Sequence, residues 1–150
     1  MLCFSLKSVP INVSAIVAAM DRPSVGALVS FEGRVRDHHD GHRVTKLVYQ
    51  AYADLATSEG SRVLEEANRR FSITSIQCQH RIGELDISEI AILVAVSAAH
   101  RDAAFNACRY VIDEMKMRLP IWKLEFYGDA AAQWRHPEQG QIATVLERSP

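Results

Sequence analysis

The chain has 150 residues, about the length of one ordinary domain, and its 17 Lys and Arg against 18 Asp and Glu give a net charge of −1. A charge so close to zero gives no overall attraction to nucleic acid or to an anionic membrane, so any anion-binding site must be local. The three cysteines, an odd number without CxxC spacing, are expected to be reduced, and no apolar run reaches the roughly 20 residues that span a bilayer. We therefore expect one cytoplasmic domain.

Apolar alternation or continuous apolar runs predict strands at 2–7, 25–35, 44–52, 72–80 and 89–98. The first is expected at a sheet edge. The last is apolar and rich in β-branched residues, which is typical of a central strand covered on both faces. Gly33 indicates a bulge or a close backbone approach, and residues 81–85 are predicted as a turn-rich link.

Two helices are predicted in the first half of the chain. Asn12 or Ser14 is placed to cap a short one. A longer one is predicted at about 55–70, with Asp54 as its cap and Leu55 among its buried side chains.

The third predicted helix, residues 101–118, is the most informative stretch of the sequence. Its apolar stripe is expected to comprise Ala104, Phe105, Cys108, Val111, Ile112 and Met115. His100 and Arg101 stand where a strand runs into the helix N-terminus, a place that favours anions. Pro120 cannot continue the helix, so Lys123 must leave it in an extended segment.

The segment 36–43 contains three of the six histidines and is expected to join two strands of a hairpin. A metal site is one interpretation of this segment. Its HHxxH spacing matches no common zinc pattern, so structural or surface histidines are the favoured interpretation, and no metal is expected.

The order of elements, with hairpins and helical crossovers mixed, predicts an α+β domain with a mostly antiparallel sheet and about three helices. Residues 1–150 are expected to form a single domain, with a weakly ordered tail from about residue 137. No Walker loop, GxGxxG, HExxH or nucleophile elbow is present, so the chemistries that these motifs support are not indicated.

The remaining chemical signal is a set of cationic side chains: Arg36, His100, Arg101, Lys116 and Lys123. Arginine suits phosphate, and a partly desolvated lysine can exchange protons. Each residue alone is most simply a surface charge, but together they suit a small phosphorylated substrate. Glu125 could orient Lys123 or could be an ordinary surface carboxylate.

Four ordered motifs carry a resemblance: GALVSFEGRVRDH, HRIGEL, SAAHRDAAFNACRYVIDEMK and RLPIWKLE. They resemble the large, catalytic subunit of molybdopterin synthase from about Gly26 to Trp134. The resemblance implies an α/β hammerhead fold and sulfur transfer to cyclic pyranopterin monophosphate in molybdenum cofactor biosynthesis. It implies that the sulfur arrives as a thiocarboxylate on the C-terminal Gly-Gly of a small ubiquitin-like subunit, that the large subunit dimerises, and that no cofactor is needed.

The resemblance also implies roles for individual residues. Lys116 falls on the catalytic lysine of the family, and Lys123 on a second lysine that contacts the sulfur-bearing tail or the substrate. Pocket residues that hold the phosphate and the pterin, or line their pocket, fall on Arg36, His100, Arg101 and Phe31. Two positions depart from the usual pattern: Gln50 replaces a common Glu, and Arg135 follows Trp134 where Val is usual, which leaves no safe role for Arg135.

Helix geometry adds one prediction from the residues themselves. About 15 positions separate His100 and Arg101 from Lys116, which is roughly 22 Å along a helix. One small pterin cannot touch both ends, so we expect one protomer to supply Arg36, Lys116 and Lys123 and its partner to supply His100 and Arg101.

Two other classes of function remain as alternatives. A phosphate-ester hydrolase or nucleotide-binding enzyme would use the same cations without a protein partner. A non-catalytic adaptor would bind the tail of a ubiquitin-like protein without binding a pterin.

Overall fold

A computed structural model of the chain describes residues 1–136 and 140–144. The helices within this part are α1 (Val13–Ala19), α2 (Ala53–Arg70) and α3 (Arg101–Arg118). The strands are β1 (Leu2–Lys7), β2 (Ala27–Arg34), β3 (His38–His39), β4 (His42–Ala51), β5 (Ser75–Arg81), β6 (Gly83–Asp86), β7 (Ile90–Ala98), β8 (Ile121–Tyr127), β9 (Gln133–His136) and β10 (Gly140–Thr144). The predicted α+β class with mostly antiparallel pairing is confirmed.

The first sheet has the strand order β1-β5-β7-β2, with β1 parallel to β5 and the other pairs antiparallel. Strand β7 is central and covered on both faces, as predicted. Val94 and Val96 face the core beneath α2 and α3, and Leu93 packs in a second cluster with Ile16 and Met20 on the α1 side. Because neither face meets water, the strand has no polar alternation.

Helix α3 begins and ends at the predicted residues, but Phe105 was wrongly placed in its buried stripe. Phe105 is 60% exposed, and Ala107 is fully buried instead. The buried stripe comprises positions 104, 107, 108, 111, 112 and 115. Position 105 lies at the border of this stripe, about 100° around the helix axis from position 104. A large apolar side chain is thereby left on the surface.

Helix α2 differs from prediction at its start. Its N-cap is Tyr52, which makes no side-chain capping bond, so the prediction of Asp54 as cap is wrong; Asp54 lies in the first turn. Its carboxylate there still meets the positive end of the helix dipole. Leu55, predicted to be buried, is 58% exposed. The buried face instead includes Gly60, which packs against the ring of Phe4 on β1.

The second sheet runs β10-β9-β8-β4-β3, with β6 also paired to β4. The predicted turn-rich link at 81–85 is therefore wrong in part, because Gly83–Asp86 forms this additional strand. The division of the strands into two sheets did not follow from the order of elements. A small apolar cluster that includes Val35, Leu47 and Ala91 joins the two sheets.

The expected weakly ordered tail from residue 137 contains β10, which pairs with β9. Residues 137–139 and 145–150 lie outside the described part of the chain. Over the residues that the structure does describe, no helix combines the length and apolarity that a membrane crossing requires.

Candidate active site

A cleft of about 450 Å³ opens where the two sheets meet the C-terminal end of α3. Its apolar lining includes Val35, Leu47, Ile92, Met115 and Ile121. Its polar lining consists of Arg34, Arg36, His38, His39, Tyr49, His80, Lys116, Lys123 and Glu125. The cleft is therefore an apolar cavity with a rim rich in cations, a form suited to a small anionic molecule.

Local structure explains how three of the predicted residues reach this cleft. The register shift after Gly33, which confirms the predicted bulge, ends β2, and the chain then alternates a buried Val35 with an exposed Arg36. Lys116 follows the buried Met115 in the last turn of α3. Lys123 lies on β8 and lines the cleft two residues after the buried Ile121.

Arg36 and Lys116 are the cations in the cleft that are free to meet an anion. Both side chains are exposed, and neither makes a hydrogen bond or ion pair with any of residues 1–136. Arg34, by contrast, is paired with Glu32. An incoming phosphate would therefore displace no protein carboxylate from Arg36 or Lys116.

Lys123 is held differently, by the carboxylate of Glu125. Its Nζ lies 2.7 Å from Glu125 Oε1, and Glu125 is only 2% exposed. Glu125 also accepts from His39 Nδ1 at 2.8 Å and from the Tyr127 hydroxyl, and it pairs with Arg135 Nε at 3.2 Å. The interpretation of Glu125 as an ordinary surface carboxylate is wrong.

This cluster fixes the ionisation of Glu125. Burial by itself would raise the pKa of Glu125, but hydrogen bonds from Lys123 and Tyr127 outweigh burial and lower it. Burial and the bond to Glu125 raise the pKa of Tyr127 to about 12, so its hydroxyl keeps its proton. The carboxylate is therefore ionised and fully engaged by its donors.

Arg135 links this cluster to the β3–β4 hairpin. Its NH2 group lies 3.0 Å from Asp40 at the hairpin turn, while its Nε faces Glu125. Asp40 and Gly41 have φ values of 50° and 80°, which gives the tight two-residue turn that brings His39 over Glu125. The position that departs from the family pattern thus has a structural partner in this chain.

The three histidines of the hairpin each contact a different carboxylate. His38 bonds Asp37, His39 bonds Glu125, and His42 bonds Asp129. Among the described residues, no three His, Cys, Asp or Glu side chains are grouped as a metal ion would require.

His100 and Arg101 do not line this cleft. They stand at the opposite end of α3 from Lys116, both exposed. His100 occupies the N-cap position but makes no side-chain capping bond. Phe31 lies in a neighbouring groove of about 460 Å³, which also contains Phe105 and shares Lys116 with the cleft.

The polar lining residues that were not singled out from the sequence include Tyr49 and His80. His80 stands within the motif HRIGEL, and Tyr49 within an alternating strand, which was the available signal. Burial lowers the pKa of His80 to about 4, and burial together with the charge of Glu125 raises the pKa of Tyr49 to about 12. Both side chains are therefore neutral near neutral pH.

These features define a class of protein: an α+β domain with a cleft between two sheets that is lined by cations. The sequence assigns the chain to a family within this class. Residues 6–118 match the family model described as MoaE protein, and the chain belongs to the MoaE family.

Individual relatives agree with this assignment. The molybdopterin synthase catalytic subunit of Thermoplasma volcanium is 40% identical over 124 residues, which cover 83% of this chain and 90% of the relative. The crystal structure of molybdopterin synthase from Staphylococcus aureus superposes with a TM-score of 0.82 at 35% identity, covering 87% of this chain and 95% of that one.

A more distant structure shares the fold alone. It is a complex of subunits 1 and 2 of molybdopterin-converting factor from Helicobacter pylori, with a TM-score of 0.70 and 19% identity over 97% of this chain and 92% of that one.

Proposed function

We propose that this chain is the catalytic subunit of a molybdopterin synthase of the cytoplasm, a sulfurtransferase. Its sulfur donor would be the C-terminal Gly-Gly thiocarboxylate of a small ubiquitin-like subunit, and its acceptor cyclic pyranopterin monophosphate. The observation that carries the proposal is the cleft in which Arg36, Lys116 and Lys123 converge. Membership of a family with relatives named as molybdopterin synthase catalytic subunits supports it.

The unpaired cations suit the two anions of this reaction. Arg36 offers a planar fork for a phosphate, and Lys116 offers an exposed ammonium group that no carboxylate of residues 1–136 holds. In our proposal the thiocarboxylate sulfur bonds to a carbon of the acceptor as the oxygen on that carbon leaves, and water then cleaves the acyl–sulfur bond, which leaves a carboxylate on the partner tail and a thiol on the product. Lys116 polarises the acyl carbonyl or relays a proton in these steps. No cysteine needs to take part, and burial raises the pKa of both Cys78 and Cys108.

Lys123 has a different part in this proposal. Because Glu125 already balances its charge at 2.7 Å, Lys123 brings directed N–H donors to the cleft without adding net charge. Such a group suits the tail of the partner subunit, whose backbone carbonyls accept hydrogen bonds.

The position of His100 and Arg101 supports a composite site. Since they lie at the far end of an 18-residue helix from the cleft, they would reach the substrate from a second copy of the chain. Each complete site would then combine Arg36, Lys116 and Lys123 of one protomer with His100 and Arg101 of the other.

Reconstituted sulfur transfer tests the activity. The purified chain, the thiocarboxylated small subunit and cyclic pyranopterin monophosphate are mixed, and molybdopterin is measured. Lys116→Ala should lower turnover by about 10²-fold or more. Lys46→Ala, at a lysine paired with Glu84 on the surface, is the matched control and should leave turnover unchanged. Equal turnover of wild type and Lys116→Ala contradicts the catalytic role; partner binding without any product favours the adaptor function.

Mixing two inactive variants tests the composite site. Heterodimers of Lys116→Ala and Arg101→Ala contain one site with both residues intact, so a random mixture should recover about a quarter of wild-type activity. No recovery, although mass spectrometry shows heterodimers, would mean that each protomer uses its own Arg101.

A further inference from the structure

We propose that His80 is a substrate-binding residue, whose Nε2 accepts a hydrogen bond from an N–H group of the ligand. The cleft would then select molecules that carry an anion at one end and an N–H donor at the other. This inference rests on the proposed function and identifies the part of the cleft that would recognise the heterocycle.

The hydrogen bonding of His80 fixes which ring nitrogen can accept. Nδ1 lies 2.7 Å from the backbone carbonyl oxygen of Arg81. A carbonyl can only accept, so Nδ1 must hold the proton and donate. Burial keeps the imidazole neutral near neutral pH, because it lowers the pKa to about 4. Nε2 is therefore left with its lone pair.

That lone pair has no partner in the described part of the chain. The bond to Arg81 is the hydrogen bond that this ring makes, and Nε2 makes none with residues 1–136. His80 is only 9% exposed and lines the cleft, and its Nε2 is not among the fully buried side-chain atoms that lack a partner, so this nitrogen opens onto the cleft. A ligand that donates to Nε2 therefore gains a hydrogen bond in a site that is shielded from bulk water.

The ring is also held in place. Tyr49 contacts it edge-on, with centroids 5.0 Å apart and an interplanar angle of 83°. Strand β5 fixes its backbone through pairing of His80 with Ile92 of β7. A binding group fixed in this way loses little conformational entropy when a ligand arrives.

The other polar groups of the cleft are donors, are engaged by carboxylates, or can both donate and accept. His38 and His39 bond Asp37 and Glu125 through Nδ1, and His39 Nε2 lies 3.6 Å from Asp40 Oδ1. Arg36, Lys116 and Lys123 are donors, and the carboxylate of Glu125 is already engaged by Lys123, His39, Tyr127 and Arg135. The Tyr49 hydroxyl, which burial keeps protonated, can donate as well as accept. His80 Nε2 thus gives the cleft a fixed acceptor in addition to its cations. Cyclic pyranopterin monophosphate has both a phosphate and ring N–H groups.

Two variants separate recognition from packing. His80→Phe keeps an aromatic ring against Tyr49 but removes Nε2, whereas His80→Gln keeps an acceptor. His42→Phe is the matched control, because it replaces a histidine outside the cleft with the same aromatic ring. Calorimetry measures the binding of cyclic pyranopterin monophosphate and of ribose 5-phosphate, which carries a phosphate but no N–H group.

We expect His80→Phe to weaken binding of the pterin about tenfold or more, with little change for ribose 5-phosphate. His80→Gln should recover part of the loss, and His42→Phe should bind as wild type does. Equal weakening of both ligands, or a lower melting temperature with unchanged pterin affinity, would make His80 a structural residue and overturn the inference. If the wild type transfers sulfur and His80→Phe has the same KM for the pterin, this inference alone is overturned. If the wild type binds no pterin, the proposed function is overturned as well.

Discussion

Replacing Glu125 with glutamine removes the charge on which the cationic side of the cleft depends, with little change in shape. The carboxylate is 2% exposed and lies 2.7 Å from Lys123 Nζ and 3.2 Å from Arg135 Nε. In Glu125→Gln, Lys123 loses its counter-charge and Arg135 keeps only Asp40. An amide also has one oxygen acceptor where the carboxylate has two, so it cannot satisfy all the present donors.

The expected loss of stability follows from this burial. Removing one partner of a buried ion pair costs about 3–5 kcal/mol. The Lys123 and Arg135 side chains keep 21% and 10% exposure, so water can partly solvate them and we expect about 3 kcal/mol. For a chain of 150 residues this corresponds to a melting temperature lower by about 6–12 °C. Glu84→Gln, in an ion pair with side chains 38% and 59% exposed, should cost less than about 1 kcal/mol.

Urea unfolding of wild type and both variants at a series of pH values is the assay. The pKa of Glu125 is lower in the folded state than in the unfolded chain, so its contribution is present above the ordinary glutamate pKa and is lost as the pH falls through the folded value. The stability difference between wild type and Glu125→Gln should be large at neutral pH and shrink below about pH 4. If Glu125→Gln were as stable as Glu84→Gln, or if the difference did not change with pH, the account of this cluster would be refuted.

Two further predictions concern the packing of α2, and urea unfolding measures both. Gly60→Ala should lower the unfolding free energy by about 1–3 kcal/mol, because its Cβ would lie 2.4 Å from the ring of Phe4; Gly128→Ala, with its nearest contact at 3.7 Å, should change it by less than about 0.5 kcal/mol. Arg118→Met should cost about 1–2 kcal/mol because Arg118 pairs with three glutamates of α2 and α3, whereas Arg109→Met, in an exposed pair within α3, should cost about 0.3–0.5 kcal/mol. Equal losses within either pair of variants would contradict the corresponding argument.

The elements were predictable where the signal is local. The bounds of α3, the covered strand β7 and the bulge after Gly33 follow from periodicity, a proline stop and a glycine, which act over a few residues. Phe105 and Leu55 were misplaced because periodicity gives the direction of a buried stripe, while the packed neighbours set its width. Apolar side chains at the border of the stripe can therefore lie on either side.

The residues of the candidate site also differ in how far the sequence could predict them. Arg36, Lys116 and Lys123 could be proposed from the sequence because each stands at the end of a recognisable element, and the structure brings them to one cleft. Their catalytic and binding roles stay predictions. His80 also stands at the end of a predicted strand, but the sequence does not reveal its role, since that depends on which ring nitrogen bonds the neighbouring carbonyl.

The sequence by itself therefore determined the α+β class, the helix that carries Lys116 in its last turn, the family and the net charge close to zero. Only the tertiary structure decided that Glu125 is buried among four donors and that His39 reaches it from 86 positions away. The physical reason is the separation along the chain over which each interaction acts. Periodicity and capping act between near neighbours in the chain, whereas burial and ion pairing depend on how the two sheets meet.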